Sequence, residues 1–237
     1  MPIHTLGARH ARYRPDHTAV VFEGRRYTHR QLNSRVNRLA NALLALALRQ
    51  GDKVATILDN SLELLEIYQA VAKTGMVVVP LSPLLRGESL LRLINDADSA
   101  AVITMLGMVE HLDAVRDDIE LPADRFLLTD AAGVPGYREY HALTAAASES
   151  EPPRVEVGDE DPYNIIYSSG TTGDPKGIVH THSVRMAYCT GFASSYRMKP
   201  ESVILHAGSL VFNGSFLTLM PAFYLGATYV KYFPIQK

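Results

Sequence analysis

Short apolar segments alternate with amphipathic helical segments through the first half of the chain, and this alternation constrains the fold more than any other feature. Apolar runs rich in β-branched residues, such as MVVVPL at 76–81, are typical of strands buried on both faces of a parallel sheet. The segments between them carry apolar residues at spacings of three and four, as amphipathic helices do. Repeated β-α-β units of this kind predict an α/β fold with a mostly parallel, helix-covered sheet and right-handed crossovers.

The hydrophobic periods place the individual elements. Strands are expected at 53–59, 76–81, 100–104 and 125–129, and helices at 28–50, 60–75, 87–97, 107–118 and 183–196. Thr28 and Gln31 are spaced as a capping box at the start of the first helix, and Gly51 is expected to end it. The second helix is expected between an Asn60 cap and Gly75. The arginines of the first helix are predicted to form a solvated face without a functional role.

An acidic, proline-bearing segment, SESEPPRVEVGDEDP at 148–162, has neither helical nor clean strand periodicity. It is predicted to be a surface connector. It need not separate independent domains, but it marks a boundary between residues 1–160 and a second part, 161–237.

Composition excludes several functional classes. A chain of 237 residues with 47% hydrophobic residues can fill a real core, and a formal net charge of −2 provides no basic field for nucleic acid. The single cysteine, Cys189, cannot form an internal disulfide, and it is predicted to be a buried apolar residue on a helix. The N-terminus lacks a secretory signal, and the most apolar run, at 39–48, is too short to span a bilayer. We therefore expect a cytoplasmic protein without a transmembrane segment.

The segment YSSGTTGDPKG at 167–177 combines three glycines, two adjacent threonines and one lysine after an apolar stretch. Glycines let the backbone approach a ligand, N–H groups and hydroxyls donate hydrogen bonds, and a lysine supplies a point charge, so this composition favours phosphate. Ligand loops of α/β sheets follow the carboxyl ends of strands, which is where this segment is expected. It departs from the Walker pattern, because Pro175 takes the place of the second glycine and Gly177 leaves no hydroxyl after Lys176 for magnesium. A kinase or GTPase is therefore disfavoured.

This segment resembles the phosphate-binding signature of the adenylate-forming superfamily, which contains acyl-CoA synthetases, peptide-synthetase adenylation domains and luciferases. Two further stretches are similar to shared blocks of that family, PDHTAVVFEGRRYTHRQLNSRVNRLANAL at 15–43 and AVAKTGMVVVPLSPLLRGESLLRLINDADSAAVIT at 70–104. The resemblance covers most of the chain. It implies the α/β N-terminal domain of these enzymes, with residues 1–160 in one subdomain and residues 161–237 in the part of the second that carries the phosphate loop.

The resemblance also implies a two-step reaction. A carboxylate attacks the α-phosphate of MgATP, pyrophosphate leaves, and the acyl-adenylate passes its acyl group to a thiol, commonly that of coenzyme A. The implied cofactors are ATP, Mg²⁺ and coenzyme A, and no residue of this chain is assigned to a metal. Lys176, with Thr171 and Thr172, is the implied catalytic group, neutralising charge on the departing pyrophosphate. The residues that would wrap the β- and γ-phosphates are Ser168, Ser169, Gly170, Thr171, Thr172 and Gly173.

A later stretch, at 205–233, corresponds to a shared block in which an aromatic residue or histidine lies near the substrate carboxylate. The match places Val211 or Phe212 at that position and makes Phe212, Asn213 and Gly214 candidate acyl-pocket residues. The alternative, the buried entry to a core helix, stays open.

His180 and His182 form an H-x-H pair, which on an extended strand could face one side and bind a metal. No third ligand is evident in the sequence, so structural or capping histidines are expected. His182 matches a histidine usual in the family after this loop.

Members of this family are normally longer than this chain. The segments that contact adenine and magnesium, the aspartate for the ribose, the hinge and the small C-terminal domain with its catalytic lysine are absent from the sequence. We therefore expect an N-terminal portion that is inactive alone and that self-associates through apolar surfaces. The leading hypothesis is part of an AMP-forming acid–CoA ligase for a fatty or other hydrophobic carboxylic acid. The alternatives are a peptide-synthetase adenylation domain and a catalytically silent, truncated homologue.

Overall fold

Two β-sheets organise the part of the chain that the computed structural model describes, residues 2–168 and 175–231. The strands are β1 (Thr18–Phe22), β2 (Arg25–Thr28), β3 (Lys53–Ile57), β4 (Val77–Leu81), β5 (Ser99–Thr104), β6 (Phe126–Leu128), β7 (Arg138–Glu139), β8 (Pro162–Ser168), β9 (Lys176–Thr181), β10 (Val203–His206) and β11 (Thr228–Lys231). The helices are α1 (Leu6–Tyr13), α2 (His29–Ala45), α3 (Leu62–Thr74), α4 (Gly87–Asp96), α5 (Val109–Asp113), α6 (Tyr140–Ala146), α7 (His182–Ser195) and α8 (Phe216–Leu225). None of these helices has the length and apolar content needed to cross a membrane.

The larger sheet has seven strands in the order β7-β6-β5-β3-β4-β8-β9. All its neighbours are parallel except β8 and β9, which are antiparallel. The smaller sheet has the order β10-β11-β1-β2, and only β1 and β2 pair antiparallel in it. The predicted α/β fold with mostly parallel, helix-covered sheets is confirmed.

The boundary predicted near residue 160 does not separate the two sheets. The larger sheet takes β8 and β9 from beyond it, and the smaller sheet pairs β1 with β11 from the far end of the described chain. Each of the two stretches, 1–160 and 161–237, thus contributes strands to both sheets. Their division into two subdomains stays a prediction.

Local sequence signals correctly predicted the start of α2 and the end of α3, and they placed the N-cap of α3 one residue too early. The capping box at the start of α2 is present, with the Thr28 hydroxyl accepting from the Gln31 N–H at 3.2 Å and the Gln31 side chain accepting from the Thr28 N–H. Helix α3 ends at Gly75, which takes the left-handed conformation at φ 68°. Its N-cap is Ser61 and not the neighbouring asparagine, because the Ser61 hydroxyl accepts from the Leu64 N–H at 3.1 Å.

Two helix bounds were wrong. Helix α2 ends at Ala45, well before Gly51, because Ala47 adopts a left-handed φ of 59° and lets Leu48 turn into the core. The helix predicted at 107–118 contains only α5, with single 3₁₀ turns on both sides of it.

Arg116 explains why that helix does not continue. Its guanidinium lies 3.9 Å from the centre of the Phe126 ring and donates to the carbonyl of Gly136 at 2.5 Å. These contacts hold the chain after α5 against β6 and the turn before β7.

The connector forms no regular helix or strand over residues 148–161, as predicted, although β8 begins at its last residue, Pro162. It runs along α2 and covers the polar face that we expected to be solvated. Asn41 donates to the carbonyl of Ser148 at 2.8 Å, and Arg38 donates to that of Ala147 at 3.0 Å. The expectation of a solvated face was wrong for Arg38, because Arg38 and Asn41 donate to carbonyls at the start of the connector that have no strand or helix to pair with. Arg30 is exposed, as expected.

Gly226 ends α8 at φ 68°, and a Cβ atom there would lie 2.5 Å from Nδ1 of His10. The His10 ring cannot easily retreat, because it is buried and its Nε2 lies 3.1 Å from the Tyr224 carbonyl oxygen. We expect Gly226→Ala to lower the free energy of unfolding by about 2–4 kcal/mol, the cost of positive φ plus a steric clash. Gly51→Ala is the matched control, since Gly51 has φ 87° and open space around it. Urea denaturation checks the pair, and equal losses would show that the clash contributes nothing.

Candidate active site

Ser168 and Lys176 are the described ends of the predicted phosphate loop, and the structure brings them together. Strand β8 ends at Ser168, β9 begins at Lys176, and the two residues lie opposite each other in the antiparallel register. Both side chains are exposed. The other predicted loop residues lie outside the described residues, namely Ser169, Gly170, Thr171, Thr172 and Gly173.

The Ser168–Lys176 pair lies at the carboxyl end of β8, which runs parallel to β4. The carboxyl ends of parallel strands are where open α/β sheets place their ligand sites. The exposed ammonium of Lys176 and the exposed hydroxyl of Ser168 can donate hydrogen bonds to an anion at this edge. Among the described residues, neither group is paired with a carboxylate that would compete with such an anion.

Gly177 has a packing role that the sequence did not reveal. A Cβ atom on it would lie 3.0 Å from Cγ2 of Ile165 and 3.3 Å from the Tyr167 ring. A larger residue would push β9 away from β8 and move Lys176 relative to Ser168.

His180 and His182 do not form the H-x-H face that an extended strand would give. His180 lies in β9, but His182 is the first residue of α7, which Thr181 caps by accepting from the Val184 N–H at 3.3 Å. Burial lowers the pKa of each histidine to about 4. Among residues 2–168 and 175–231, no group of three or more His, Cys, Asp or Glu side chains is arranged to hold a metal ion.

The candidate acyl-pocket residues lie in the turn before α8. Val211 is buried, whereas the Phe212 side chain is 53% exposed, and Gly214 is exposed beside it. Asn213 is half-buried, and its Oδ1 accepts from Nη1 of Arg185 at 2.9 Å. The turn is thus the entry to a core helix and also carries exposed side chains, so a role in substrate binding stays a prediction.

Arg185 is the residue that sequence reasoning missed. It lies on α7 with 0% of its surface exposed, and its guanidinium lies 3.9 Å from the centre of the Phe216 ring. Its Nε donates to Oδ1 of Asn164 on β8 at 2.8 Å. A signal was available, because Cys189 follows four residues later and shares the buried face of the helix. Cys189 itself is buried on the helix as predicted, with its thiol 3.4 Å from the Met220 carbonyl oxygen.

Comparison with known proteins decides the family. Residues 7–235 match the family described as AMP-binding enzyme. The chain belongs to this AMP-binding family. The adenylate-forming resemblance drawn from the glycine-rich segment and the two longer stretches is therefore confirmed.

Two curated relatives illustrate the range of proteins to which this chain is similar. The long-chain-fatty-acid–CoA ligase FadD13 of Mycobacterium tuberculosis is 36% identical over 180 residues, which are 76% of this chain and 34% of that protein. The phosphinothricin tripeptide synthetase PhsC of Streptomyces viridochromogenes is 30% identical over 220 residues, 93% of this chain and 19% of that protein. The chain thus spans about a third or less of the length of these relatives.

A solved structure places the fold in the same family. The inhibitor-bound N-terminal domain of FACL13 from Mycobacterium tuberculosis superposes with a TM-score of 0.86 at 27% identity. The match covers 98% of this chain and 57% of that one. Both sheets therefore correspond to an N-terminal domain of an adenylate-forming enzyme.

Proposed function

We propose that this chain is the ATP-binding N-terminal part of an AMP-forming acid–CoA ligase that acts on a fatty or other hydrophobic carboxylic acid. The observation that carries the proposal is the pairing of Ser168 with Lys176 at the carboxyl end of β8. Both groups donate hydrogen bonds and both are exposed, which suits a polyphosphate. Membership in the AMP-binding family and the similarity to FadD13 support the reaction class.

In this proposal Lys176 neutralises charge on pyrophosphate as it leaves, with Thr171 and Thr172 as hydroxyl donors. Ser168, Ser169, Gly170 and Gly173 complete the cradle for the β- and γ-phosphates. Stabilisation of this type acts most where charge develops in the transition state, and one donor contributes about 3 kcal/mol. ATP would arrive with Mg²⁺, and coenzyme A would accept the acyl group. No residue of this chain is assigned to the metal or to coenzyme A.

A peptide-synthetase adenylation domain is the second candidate, favoured by the similarity to PhsC. Both candidates form an acyl-adenylate, and they differ in the thiol that receives the acyl group. Transfer to free coenzyme A by an enzyme containing this sequence supports the ligase, and transfer only to a carrier-bound phosphopantetheine supports the synthetase.

We further propose that this chain binds nucleotide without completing the reaction, which makes it catalytically silent alone. Carboxylate-dependent exchange of labelled pyrophosphate into ATP tests this, and exchange by the 237-residue chain would refute it.

Self-association is proposed from the apolar side chains on strand β10. Val203 and Leu205 are two residues apart on this edge strand, so their side chains lie on the same face, and both are exposed. Light scattering after size exclusion would show a species larger than a monomer, and a clean monomer contradicts the proposal.

Lys176→Ala is expected to weaken pyrophosphate binding by this chain about tenfold to hundredfold, because an ammonium hydrogen-bonded to a phosphate contributes about 1.5–3 kcal/mol. Isothermal titration calorimetry measures the affinity. Lys199→Ala is the matched control, since Lys199 is also exposed and lies outside the predicted loop. If both variants bind pyrophosphate like the parent chain, the loop does not hold phosphate through Lys176.

A further inference from the structure

Arg185 is a fully buried cation for which the described part of the chain provides no carboxylate. Its Nε and Nη1 are held by the amide oxygens of Asn164 and Asn213, and its Nη2 has no hydrogen-bond partner. The aromatic rings of Phe216 and Tyr188 lie 3.9 Å and 4.8 Å from its guanidinium carbon. Burial lowers the pKa of Arg185 to about 10, so the group stays charged at neutral pH. A buried charge of this kind is costly unless something satisfies it.

A second donor beside Arg185 is also unsatisfied. Asn164 is fully buried on β8, and because its Oδ1 accepts from Arg185, its Nδ2 is left as a donor without a partner. Two buried donors from adjacent side chains call for a group that only accepts hydrogen bonds. A carboxylate is such a group, and its charge also matches that of the guanidinium.

Arg185 of α7 is held against Asn164, and the position of Asn164 along β8 indicates which carboxylate Arg185 could bind. Asn164 precedes Ser168 by four residues of extended strand, a separation of about 13 Å. In the proposed function, ATP binds at the loop that follows Ser168, and the reacting carboxylate meets its α-phosphate there. A group held at Asn164 would instead belong to the other end of the substrate.

Asn213 is the side chain that a ligand would displace. It is half-buried in the turn between the exposed Phe212 and Gly214, and its Nδ2 donates to the Tyr188 hydroxyl at 3.3 Å. Asn213 is therefore the side chain that connects Arg185 to the turn carrying the candidate acyl-pocket residues.

We propose that Arg185, with Asn164, binds the second carboxylate of a dicarboxylic acid substrate, replacing the contact that Asn213 makes in the free protein. This inference rests on the proposed acid-ligase function and narrows its substrate to a hydrophobic acid with an anionic far end. Arg185 is then a specificity-determining residue, distant from the reacting atoms.

Suberate and octanoate, which have the same chain length, test the inference by calorimetric titration of this chain. We expect suberate to bind on the order of tenfold or more tightly than octanoate, because only its far carboxylate can reach Arg185. Arg185→Lys should lose most of that preference, since an ammonium cannot reproduce the planar array of donors. Equal affinities for the two acids, or weaker binding of suberate, would overturn the inference.

Asn213→Asp keeps the proposal testable if changes at Arg185 impair folding. An aspartate at this position places a carboxylate on Nη1 of Arg185, so we expect a higher melting temperature and loss of the suberate preference. Suberate binding that survives in this variant contradicts the proposed site. Pyrophosphate titration separates the two hypotheses. Intact pyrophosphate binding without a suberate preference removes the inference alone, whereas a suberate preference without pyrophosphate binding removes the proposed phosphate loop alone.

Discussion

Arg35→Ala is expected to lower the free energy of unfolding by about 3–5 kcal/mol, because it leaves a buried carboxylate without its cation. Glu66 lies on α3 with 2% of its surface exposed, and Arg35 of α2 donates to it through Nε. Its other oxygen accepts from the Tyr140 hydroxyl of α6 at 3.0 Å. The carboxylate of Glu66 therefore joins three helices through Arg35 and Tyr140, and the variant would loosen both contacts together.

The loss in Arg35→Ala should depend on pH. Burial raises the pKa of Glu66 to about 7 against the attraction of Arg35, so without the arginine the carboxyl group can avoid charge by binding a proton. We expect the smaller loss of stability on the acid side of that pKa and the larger loss on the alkaline side. Urea denaturation at a series of pH values measures both.

Arg38→Ala is the matched control for Arg35→Ala. Arg38 lies one turn further along α2, and its ion pair is with the exposed Glu149. Its loss should cost about 1 kcal/mol. The double variant Arg35→Leu with Glu66→Leu should recover much of the stability, because it removes both charges and fills their volume with apolar groups. If Arg35→Ala costs no more than Arg38→Ala, the buried pair does not stabilise the helices.

The elements that the sequence predicted well are those with local signals. The capping box at Thr28, the left-handed Gly75 and the apolar run of β4 all act within a few residues. The small sheet was not predicted as a unit, because β1 and β2 are short and half-polar. Val20 of β1 pairs with Tyr229 of β11, a partner that no local pattern can indicate.

The residues of the candidate site also differ in whether a local sequence signal could place them. Ser168 and Lys176 could be placed from sequence because a strand end and a glycine-rich loop are neighbours in the chain. For Arg185 the spacing to Cys189 indicates only a position on the buried face of α7, since its partners Asn164 and Asn213 come from β8 and from the turn before α8. The polar face of α2 was misread for a related reason, as the connector that covers it lies more than a hundred residues away in sequence.

Acidification between pH 6.5 and about 4 is expected to destabilise the fold by several kcal/mol through three buried histidines. Burial lowers the pKa of His29, His180 and His182 to about 4 in each case. Below pH 6.5 the unfolded chain binds protons on these rings and the folded chain does not, so the free energy of unfolding falls as the pH falls. Protonating one such ring in the folded state costs on the order of 3 kcal/mol. Above pH 6.5 the rings are neutral in both states, and this dependence disappears.

Neighbouring groups both raise and lower the pKa of each histidine, but burial is the largest cause of the lowered pKa. Near His29, the rings of His10 and His17 and the guanidinium of Arg14 lower its pKa further, whereas its hydrogen bond to the Gly226 carbonyl raises it. Arg185 lowers the pKa of His180.

The ring of His182 has acidic neighbours that oppose the effect of burial on its pKa. His4 lowers the pKa of His182, and Asp159 and Asp161 raise it.

Glu66 contributes to the pH dependence of stability with the opposite sign, because its raised pKa makes the folded state bind a proton more tightly than the unfolded chain between about pH 7 and 4.5. It offsets roughly one of the three histidines.

Replacing one buried histidine should remove its share of the pH dependence. His29→Gln is expected to reduce the slope of unfolding free energy against pH by up to about 1.4 kcal/mol per pH unit inside this window, because one fewer proton is taken up on unfolding. Urea denaturation at closely spaced pH values gives the slopes. Equal slopes for the parent chain and His29→Gln would mean that the ring is protonated as readily in the folded protein as in the unfolded chain. Burial of the ring beside Gly226 would then not oppose its protonation.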